Sequence, residues 1–375
     1  MVQGNAVATE PATLDRELAT RIPKVLLHDH LDGGIRPATV LELADDIGWT
    51  LPAADEAQLQ DWFTAGADTG DILRYLATFE HTLAVMQRAE SIERVAYEAA
   101  VDLAADGVVY AEVRFAPELH QDGPVPLPLE AVVEAVTSGF RRGERDAVAT
   151  GRSIEVNAIC CAMRTESRSL EIAQLVDRQR EHDDKVVGFD LAGAETGFPP
   201  SLHADALRFA RSAHLNITIH ASEPPDLELI SDALAHGAHR IGHGVRLAAD
   251  TTRRPDGELQ LGPLAQYVLD HQVHLEMAPT CNVQIGAVES VPEHPIGPFL
   301  RAGLSVGVNT DNRLMSRVLP STELAAVVAG HDLDWYDVER LVVNAASASF
   351  MPHAARHRLI DEVIRPTFVS LRENK

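Results

Sequence analysis

The chain has 375 residues, of which 45% are hydrophobic, and its formal net charge is −24. Because a phosphate backbone binds to a basic surface, this acidity argues against DNA, RNA or an anionic membrane as partner. It favours a soluble protein that binds a neutral or cationic small molecule. The length is sufficient for one large α/β barrel.

The N-terminal segment and the cysteines indicate the compartment. Residues 1–12 carry no basic start followed by an apolar core, so we expect a short disordered leader instead of a secretory signal. Cys160 and Cys161 are adjacent and unsuited to an ordinary disulfide, and Cys281 is alone. No apolar run reaches the roughly 18–20 residues of a membrane span. The sequence therefore predicts a cytoplasmic protein with reduced thiols.

The first predicted strand, residues 24–30, ends in two histidines, His28 and His30. Residues i and i+2 of a strand point to the same face, so both imidazoles project together from its carboxyl end. Two neutral imidazoles in this arrangement are half of a metal site. The pair alone is a weak signal, because about one such pair is expected by chance among the chain's 17 histidines, and two solvated loop histidines are the more common case. Other segments must therefore supply the remaining ligands.

Helical spacing dominates the region after this strand. Helices are predicted over residues 37–48, 70–89 and 91–106, the last capped by Ser91 and stopped by Gly107. Such a helical insertion would roof a site at the end of the first strand. Four aromatic residues of the region are expected to pack in the core or the roof: Trp62, Phe63, Tyr75 and Phe79.

A strand–helix rhythm then continues to residue 309. The further apolar or β-branched runs are 108–115, 154–161, 186–191, 215–220, 240–245, 272–277 and 304–309. Eight such runs separated by helix-compatible segments predict an α/β fold, a (β/α)8 TIM barrel with a helical insertion after strand 1. A doubly wound open sheet is the main alternative, but no Gly-rich turn follows the first strand. No linker or repeat divides the chain, so residues 13–375 are predicted to form one domain.

The barrel places chemistry at the carboxyl ends of its strands. These ends carry His28 and His30 on strand one, His220 on strand five and Asp311 on strand eight. Three imidazoles and one carboxylate suit Zn²⁺ with room for a water, and iron, cobalt or nickel would also be tolerated. A metal-bound water has its pKa lowered to about 7, which prepares a hydrolytic attack on an electrophilic carbon.

Two further groups lie beside the predicted ligands. Glu223, three residues after His220, is a candidate proton donor, and His243 at the end of strand six is a candidate to hold the attacking hydroxide or take its proton. The competing interpretations are a helix N-terminal acid for Glu223 and a satisfied core histidine for His243.

The motifs taken together resemble the adenosine deaminase family of the amidohydrolase superfamily. The matching segments follow the family's order over residues 24–315: His28-Asp-His30-Leu-Asp32-Gly33, Leu191-Ala-Gly193, His220-Ala-Ser-Glu223, Gly242-His243-Gly244, Cys281-Asn-Val-Gln284 and Asn309-Thr-Asp311.

This resemblance implies one Zn²⁺ per chain, held by His28, His30, His220 and Asp311. It implies hydrolysis of the 6-amino group of adenosine and 2′-deoxyadenosine, in which a zinc-activated hydroxide adds to purine C6. Glu223 then protonates N1, while His243 and Asp311 handle the hydroxide proton. The resemblance also implies that the Gly193 backbone meets N3 and that Asp32 meets the ribose end. The Pro-Cys-x-x-Cys signature of cytidine-type zinc deaminases is absent.

Two positions depart from the family pattern. Asn312 stands where a second Asp is common and would contact purine N7, to which an amide donates directly. Ser222 stands where Gly is usual, and Pro224 and Pro225 follow. This altered loop motivates an alternative substrate within the class, a 5′-modified adenosine such as 6-aminodeoxyfutalosine.

Two more distant functions stay open from the sequence. A metal-dependent amidohydrolase acting on a non-nucleoside usually carries a lysine at the end of strand four, where this chain has Asp190-Leu-Ala-Gly193. A non-catalytic nucleoside binder would not need the complete set of Glu223, His243 and metal ligands. The expected partner is a small purine nucleoside, and the oligomeric state is open.

Overall fold

Eight parallel strands form the wall of a barrel in the computed structural model, which describes residues 12–255 and 258–373. A small antiparallel hairpin, β7 and β8, lies outside this wall. The strands in chain order are Lys24–His30 (β1), Val108–Phe115 (β2), Glu155–Met163 (β3), Val186–Ala192 (β4), Thr218–Ala221 (β5), Arg240–His243 (β6), Thr251–Arg253 (β7), Leu259–Leu261 (β8), His274–Met277 (β9) and Val306–Val308 (β10).

Two parallel ladders and two single bridges close the barrel. The ladders run β1-β2-β3-β4 and β10-β9-β6-β5. A parallel bridge from Phe189 to Ile217 joins β4 to β5, and a bridge from Asp29 to Asp311 joins β1 to the segment after β10. The predicted (β/α)8 barrel is therefore confirmed, and its eight strands coincide with the eight predicted runs to within a few residues at each end.

The helices surround the barrel and are named in chain order. They are Arg16–Arg21 (α1), Pro37–Ile47 (α2), Glu56–Ala67 (α3), Ile72–Ala77 (α4), Phe79–Val85 (α5), Ala89–Ala105 (α6), Leu129–Ala149 (α7), Ser169–Arg180 (α8), Ala204–Ser212 (α9), Glu228–Ala235 (α10), Pro263–Asp270 (α11), Pro279–Gln284 (α12), Ile296–Arg301 (α13), Arg313–Ser316 (α14), Pro320–His331 (α15), Trp335–Ala348 (α16), His353–Arg358 (α17) and Arg365–Glu373 (α18). A π-helical turn, Leu359–Ile364, joins the last two. No helix of the described residues is long and apolar enough to cross a membrane.

The helical insertion between β1 and β2 differs in detail from the prediction. The predicted helix 70–89 is two helices, because the chain tightens at Thr78, whose N–H and hydroxyl both donate to the Tyr75 carbonyl at 3.1 and 2.7 Å. Helix α6 begins at Ala89 with Arg88 as its cap, so Ser91 lies inside the helix and is not its cap. Helix α3 lies entirely in a segment with no predicted helix, and the Asp55 carboxylate caps it.

The N-terminal segment can be described only at its end. Of the predicted leader, residues 1–12, all but Ala12 lie outside the described residues. Ala12 is buried, and its N–H donates to the Leu333 carbonyl at 2.8 Å.

The barrel interior contains a cluster of fully buried charges. Arg114 lies 2.7 Å from Asp190 and 2.6 Å from Glu276, and Arg240 lies 2.6 Å from both Glu276 and Glu112. We call these five side chains the interior charge cluster. Buried charges are tolerated when they are paired in this way. The cluster fixes the strands directly beneath the mouth of the barrel.

Candidate metal centre and active site

Four predicted ligands converge at the carboxyl ends of the strands. One ligand atom from each of His28, His30, His220 and Asp311 lies within 4.8 Å of the others. The Nε2 atoms of His30 and His220 are 3.2 Å apart, and Asp311 Oδ1 lies 3.3 Å from Nε2 of both His28 and His30. Segments almost 300 residues apart in the sequence are thus brought to one point by the barrel closure.

Ionised carboxylates fix the tautomers of two of these histidines. A carboxylate only accepts hydrogen bonds, so His28 Nδ1–H donates to Glu276 Oε2 at 3.0 Å and His220 Nδ1–H donates to Asp190 Oδ2 at 3.0 Å. Burial opposes ionisation of both carboxyls, yet Arg114 and Arg240 lower the pKa of Glu276 to about 2. His220 and Arg114 likewise lower the pKa of Asp190 to about 2. The Nε2 lone pairs are therefore left to face the cluster.

The donor set fits a divalent metal ion. Nε2 of His28 is buried and has no hydrogen-bond partner among the described residues. Ligand atoms about 2.0 Å from a tetrahedral ion lie about 3.3 Å from one another, close to the 3.2 Å between His30 and His220 and the 3.3 Å from Asp311 to His28 and His30. Burial lowers the pKa of His28 and of His30 well below the ordinary value, which keeps both imidazoles neutral and able to ligate.

Backbone geometry places the carboxylate of Asp311. Its N–H donates to the His28 carbonyl at 3.0 Å, and its carbonyl accepts from His30 N–H at 2.7 Å. Asp311 also adopts a left-handed φ of +56°, a conformation that costs energy in a non-glycine residue. Burial raises the pKa of the Asp311 carboxyl, a shift that a cation between the ligands would oppose.

A cavity of about 280 Å³ opens directly above the four ligands. All the predicted site residues line it except His28, which lies beneath it. Helices α4 and α5 supply an apolar wall on the other side, so Tyr75 and Phe79 pack in the roof as predicted. The wall residues from these helices are Ile72, Tyr75, Leu76, Phe79 and Leu83.

The three predicted substrate-binding residues all line this cavity, and two of them carry unpaired oxygens. Asp32 Oδ1 and Asn312 Oδ1 are buried without a hydrogen-bond partner among the described residues. Burial raises the pKa of Asp32 to about 7. Gly193 has a φ of +93°, a conformation suited to glycine, at the turn after β4.

Glu223 lies at the edge of the cavity and is almost completely buried. Burial and the neighbouring charges of Glu195 and Asp311 raise the pKa of Glu223 well above its ordinary value. Its Oε1 lies 3.5 Å from His243 Nε2. A carboxyl whose pKa is raised by burial and by neighbouring charges is suited to proton donation.

A chain of hydrogen bonds fixes the tautomer of His243. The Ile296 N–H donates to His294 Nδ1 at 3.1 Å, so the proton of His294 is on Nε2 and is donated to Asn282 Oδ1 at 3.1 Å. The Asn282 amide nitrogen then donates to His243 Nδ1 at 3.1 Å. Neutral His243 therefore carries its proton on Nε2, the atom on the Glu223 side, and its pKa is lowered by burial.

Several site residues escaped the sequence analysis. The sequence predicts that His274 and His294 are surface or helix-end residues and not metal ligands. Both are in fact buried, and neither belongs to the ligand cluster. Glu276 and Glu195 lie beside the site and carry no local motif of their own. The one available signal was a charged residue within an apolar strand, as at Glu276 in His274–Met277.

The fold and the site together indicate the class of protein. The strand ends of a (β/α)8 barrel present three imidazoles and a carboxylate, and a buried carboxyl and a neutral histidine lie beside them. Such an arrangement is typical of barrel hydrolases that use a bound metal ion.

Comparison with known proteins narrows the class to a family. The adenosine deaminase family model matches residues 23–366. An adenosine deaminase of Mycobacterium sp. (strain JLS) is 49% identical over 365 residues, which cover 97% of this chain and 99% of the relative. The chain therefore belongs to the adenosine deaminase family.

Solved structures agree with this fold. Adenine deaminase from Arthrobacter aurescens superposes with a TM-score of 0.78 at 25% identity, covering 92% of this chain and 98% of that one. An amidohydrolase from Burkhoderia ambifaria, solved with bound Zn, superposes with a TM-score of 0.81 at 22% identity, covering 98% and 96% of the two chains.

Proposed function

We propose that the protein hydrolyses the 6-amino group of adenosine and 2′-deoxyadenosine, so that one water is consumed and ammonia and the corresponding inosine are released. The observation that carries this proposal is the single cavity in which Glu223, His243 and the four-ligand cluster meet. The relative that covers nearly the whole chain is an adenosine deaminase.

The proposed resident metal is one Zn²⁺ held by His28, His30, His220 and Asp311. When bound, such an ion supplies a water of lowered pKa, reactive at neutral pH. The bound Zn of the Burkhoderia amidohydrolase supports this choice of ion. Glu276 and Asp190 orient two of the imidazoles by accepting their Nδ1 protons.

The acid–base roles follow from the protonation states. Glu223, kept protonated by burial, donates its proton to purine N1, which makes C6 more electrophilic. His243 carries a proton on Nε2, so it donates a hydrogen bond to the oxygen that adds to C6. Asp311 accepts the remaining proton of the same oxygen and delivers it to the 6-amino group, which then leaves as ammonia. Loss of ammonia from C6 then restores the aromatic ring as the 6-oxopurine.

Three residues are proposed to hold the nucleoside. The backbone N–H of Gly193 donates to N3, the amide of Asn312 donates to N7, and Asp32 binds the ribose end. The unpaired buried oxygen of Asp32 supports the assignment at the ribose end, because a sugar hydroxyl would donate to it. Asn312 and Gly193 are assigned because they line the same cavity.

The lining favours an uncharged nucleoside over an anionic 5′-modified adenosine. No lysine or arginine is among the residues that line the cavity in the described part of the chain, whereas Asp32, Glu223 and Asp311 are. A 5′-carboxylate or 5′-phosphate would find no cation there to replace its water.

The cytoplasmic location stays a prediction. The three cysteines are buried and free, as expected for reduced thiols.

An ammonia-release screen tests the proposal. The compounds are adenine, adenosine, 2′-deoxyadenosine and a 5′-modified adenosine, with loss of the adenosine absorbance band as a second readout. We expect the two unmodified nucleosides to give the highest kcat/KM. Faster turnover of the modified nucleoside would assign the protein to the alternative substrate, and binding of adenosine without ammonia release would exclude catalysis.

A further inference from the structure

The backbone beside Glu223 is held by a buried carboxylate outside the predicted site. Glu195 Oε2 accepts the Ser222 N–H at 2.7 Å, and Glu195 Oε1 accepts the Glu223 N–H at 3.1 Å. Only 3% of the Glu195 surface is exposed. One carboxylate that accepts two consecutive backbone N–H groups fixes both the position and the direction of that peptide segment.

This segment contains a strained residue. Ser222 has a φ of +75°, in the left-handed region that favours glycine. Its side chain does not compensate for the strain, because Ser222 Oγ is buried without a hydrogen-bond partner among the described residues. The turn is therefore held from outside: the Glu195 carboxylate accepts its two N–H groups, and Arg246 Nε donates to the Glu223 carbonyl at 3.2 Å.

Glu195 also belongs to the loop that carries Gly193. It lies two residues after Gly193, and its carbonyl accepts the Phe198 N–H at 2.9 Å, which closes a turn. Its carboxylate thus links the loop after β4 to the loop after β5. Arg164 joins the same two strand ends, because its guanidinium donates to the Leu191 carbonyl at 3.1 Å and to the His220 carbonyl at 2.5 Å.

We propose that Glu195 is a positioning residue, which holds the proton donor Glu223 in register with the Gly193 backbone by accepting the N–H groups of Ser222 and Glu223. This inference rests on the proposed deamination, in which Glu223 from the loop after β5 contacts N1 and Gly193 from the loop after β4 contacts N3, on the same edge of the purine. Glu195 does not touch the reacting atoms in this account. It positions the donor through the backbone of Ser222 and Glu223, and its charge is also one of the causes that raise the pKa of the Glu223 carboxyl.

We call the two hydrogen bonds from the Ser222 and Glu223 N–H groups to Glu195 the Glu195 clamp. The Glu195→Gln variant disrupts this clamp with little change in side-chain volume. A glutamine offers one acceptor oxygen, so its NH2 group faces one of the two backbone N–H donors. We expect kcat for adenosine to fall about 10- to 100-fold, because small misplacement of a catalytic group has effects of that size. The metal content stays at the wild-type level, and KM changes less than kcat.

A double-mutant cycle separates positioning from a general loss of structure. Glycine adopts the left-handed conformation without strain, so the turn depends less on the clamp in the Ser222→Gly background. We therefore expect Glu195→Gln to lower kcat by a clearly smaller factor in that background than in the wild type. The matched control is Glu166→Gln, which removes an exposed carboxylate from the loop after β3 and leaves kcat unchanged.

Two results would overturn the inference: a kcat of Glu195→Gln within twofold of the wild type, or an equal loss in both backgrounds. If Glu195→Gln does not fold, the cycle is run with Glu195→Asp, which keeps both oxygens but withdraws them by one methylene. A wild-type protein that releases no ammonia from adenosine would instead refute the proposed function. The two failures are therefore distinguishable.

Discussion

Buried charges lie in two layers of this barrel, and the layers differ in how they are satisfied. In the interior charge cluster, Arg114 and Arg240 each lie within 2.7 Å of two carboxylates. At the mouth directly above, buried atoms such as His28 Nε2 and Asp32 Oδ1 have no hydrogen-bond partner among the described residues. Each charge of the interior is paired with an opposite charge of the protein, although Arg114 Nε makes no hydrogen bond among the described residues. The unpartnered atoms at the mouth instead lie at a cavity that a ligand can enter.

The difference separates groups that stabilise the fold from groups that bind and react. Paired buried charges cost little once formed, but removing one partner leaves the other charge unsatisfied. Unpaired polar atoms at a cavity are a stability cost that a ligand repays when it binds. Substitutions in the interior should therefore lower stability, and those at the mouth should lower activity.

The largest expected effect is at the mouth. Glu223→Gln removes the proton donor without changing the volume, so we expect kcat to fall about 10²- to 10⁴-fold at unchanged metal content. Ammonia release and elemental analysis of the purified variant measure the two quantities. Glu228→Gln, an exposed position in α10, is the control. A turnover close to that of wild type would remove Glu223 from its assigned role.

The interior should show the opposite pattern. Glu112 accepts from the Tyr110 hydroxyl at 2.8 Å and from the Phe350 N–H at 2.5 Å, and it pairs with Arg240. Glu112→Gln leaves Arg240 and Arg114 to share Glu276, so we expect the free energy of unfolding to fall by about 3–5 kcal/mol. Urea unfolding measures this loss.

The Glu112→Gln variant should bind substrate as the wild type does, even though it is less stable. At a temperature where Glu112→Gln is folded, its KM for adenosine should match that of the wild type, because Glu112 does not reach the cavity. The exposed Glu134→Gln in α7 should change neither stability nor KM. Unchanged stability of Glu112→Gln would mean that the interior pairs do not stabilise the fold.

A buried carboxyl outside both layers gives a pH prediction. Burial raises the pKa of Glu323 from 4.5 to about 7. Between these two values the unfolded chain has lost this proton while the folded protein retains it, so the contribution of Glu323 to stability falls as the pH rises through that window. The fall approaches about 1.4 kcal/mol for each pH unit in the middle of the window.

Glu323→Gln should remove this pH dependence. The amide keeps both contacts to Thr280, since its oxygen accepts the N–H now at 2.7 Å and its NH2 donates to the hydroxyl now at 2.5 Å. Urea unfolding from pH 4.5 to 7 should give a variant whose advantage over the wild type grows with pH. The exposed Glu293→Gln serves as control, and an equal slope in variant and wild type would contradict the prediction.

The smallest expected effect is at the strained turn beside the mouth. Ser222→Gly relieves a φ of +75°, and we expect the free energy of unfolding to rise by about 1 kcal/mol. Ser222→Ala is the matched control, because it removes the unpartnered hydroxyl but keeps the strained Cβ. An alanine variant as stable as the glycine variant would show that the hydroxyl, and not the backbone, is the source of the strain.

The barrel was predictable because its signals are local. Buried parallel strands appear as short apolar runs, and the positions of His28 and His30 follow from the strand period. The helix boundaries inside the insertion could not be predicted as well from the sequence, since the break at Thr78 depends on tertiary packing. Helices α14–α18 follow the last strand, where the alternation of strands and helices has ended, and none of them was predicted.

The site was predictable where its residues lie at strand ends, and not where they act through a neighbour. His220, His243 and Asp311 end or follow strands, so the fold class alone places them together. Glu195 and His294 act through hydrogen bonds that form only when distant loops meet. Their residue types and spacing therefore gave no indication of this role.

The central claim is that His28, His30, His220 and Asp311 at the mouth bind a divalent ion that deamination requires. The most direct measurement is metal content together with ammonia release from adenosine, for the purified protein, the chelator-treated protein and the protein reloaded with Zn²⁺. We predict about one ion per chain, loss of activity on chelation and its return with zinc. Full activity in protein stripped of its metal would contradict the account.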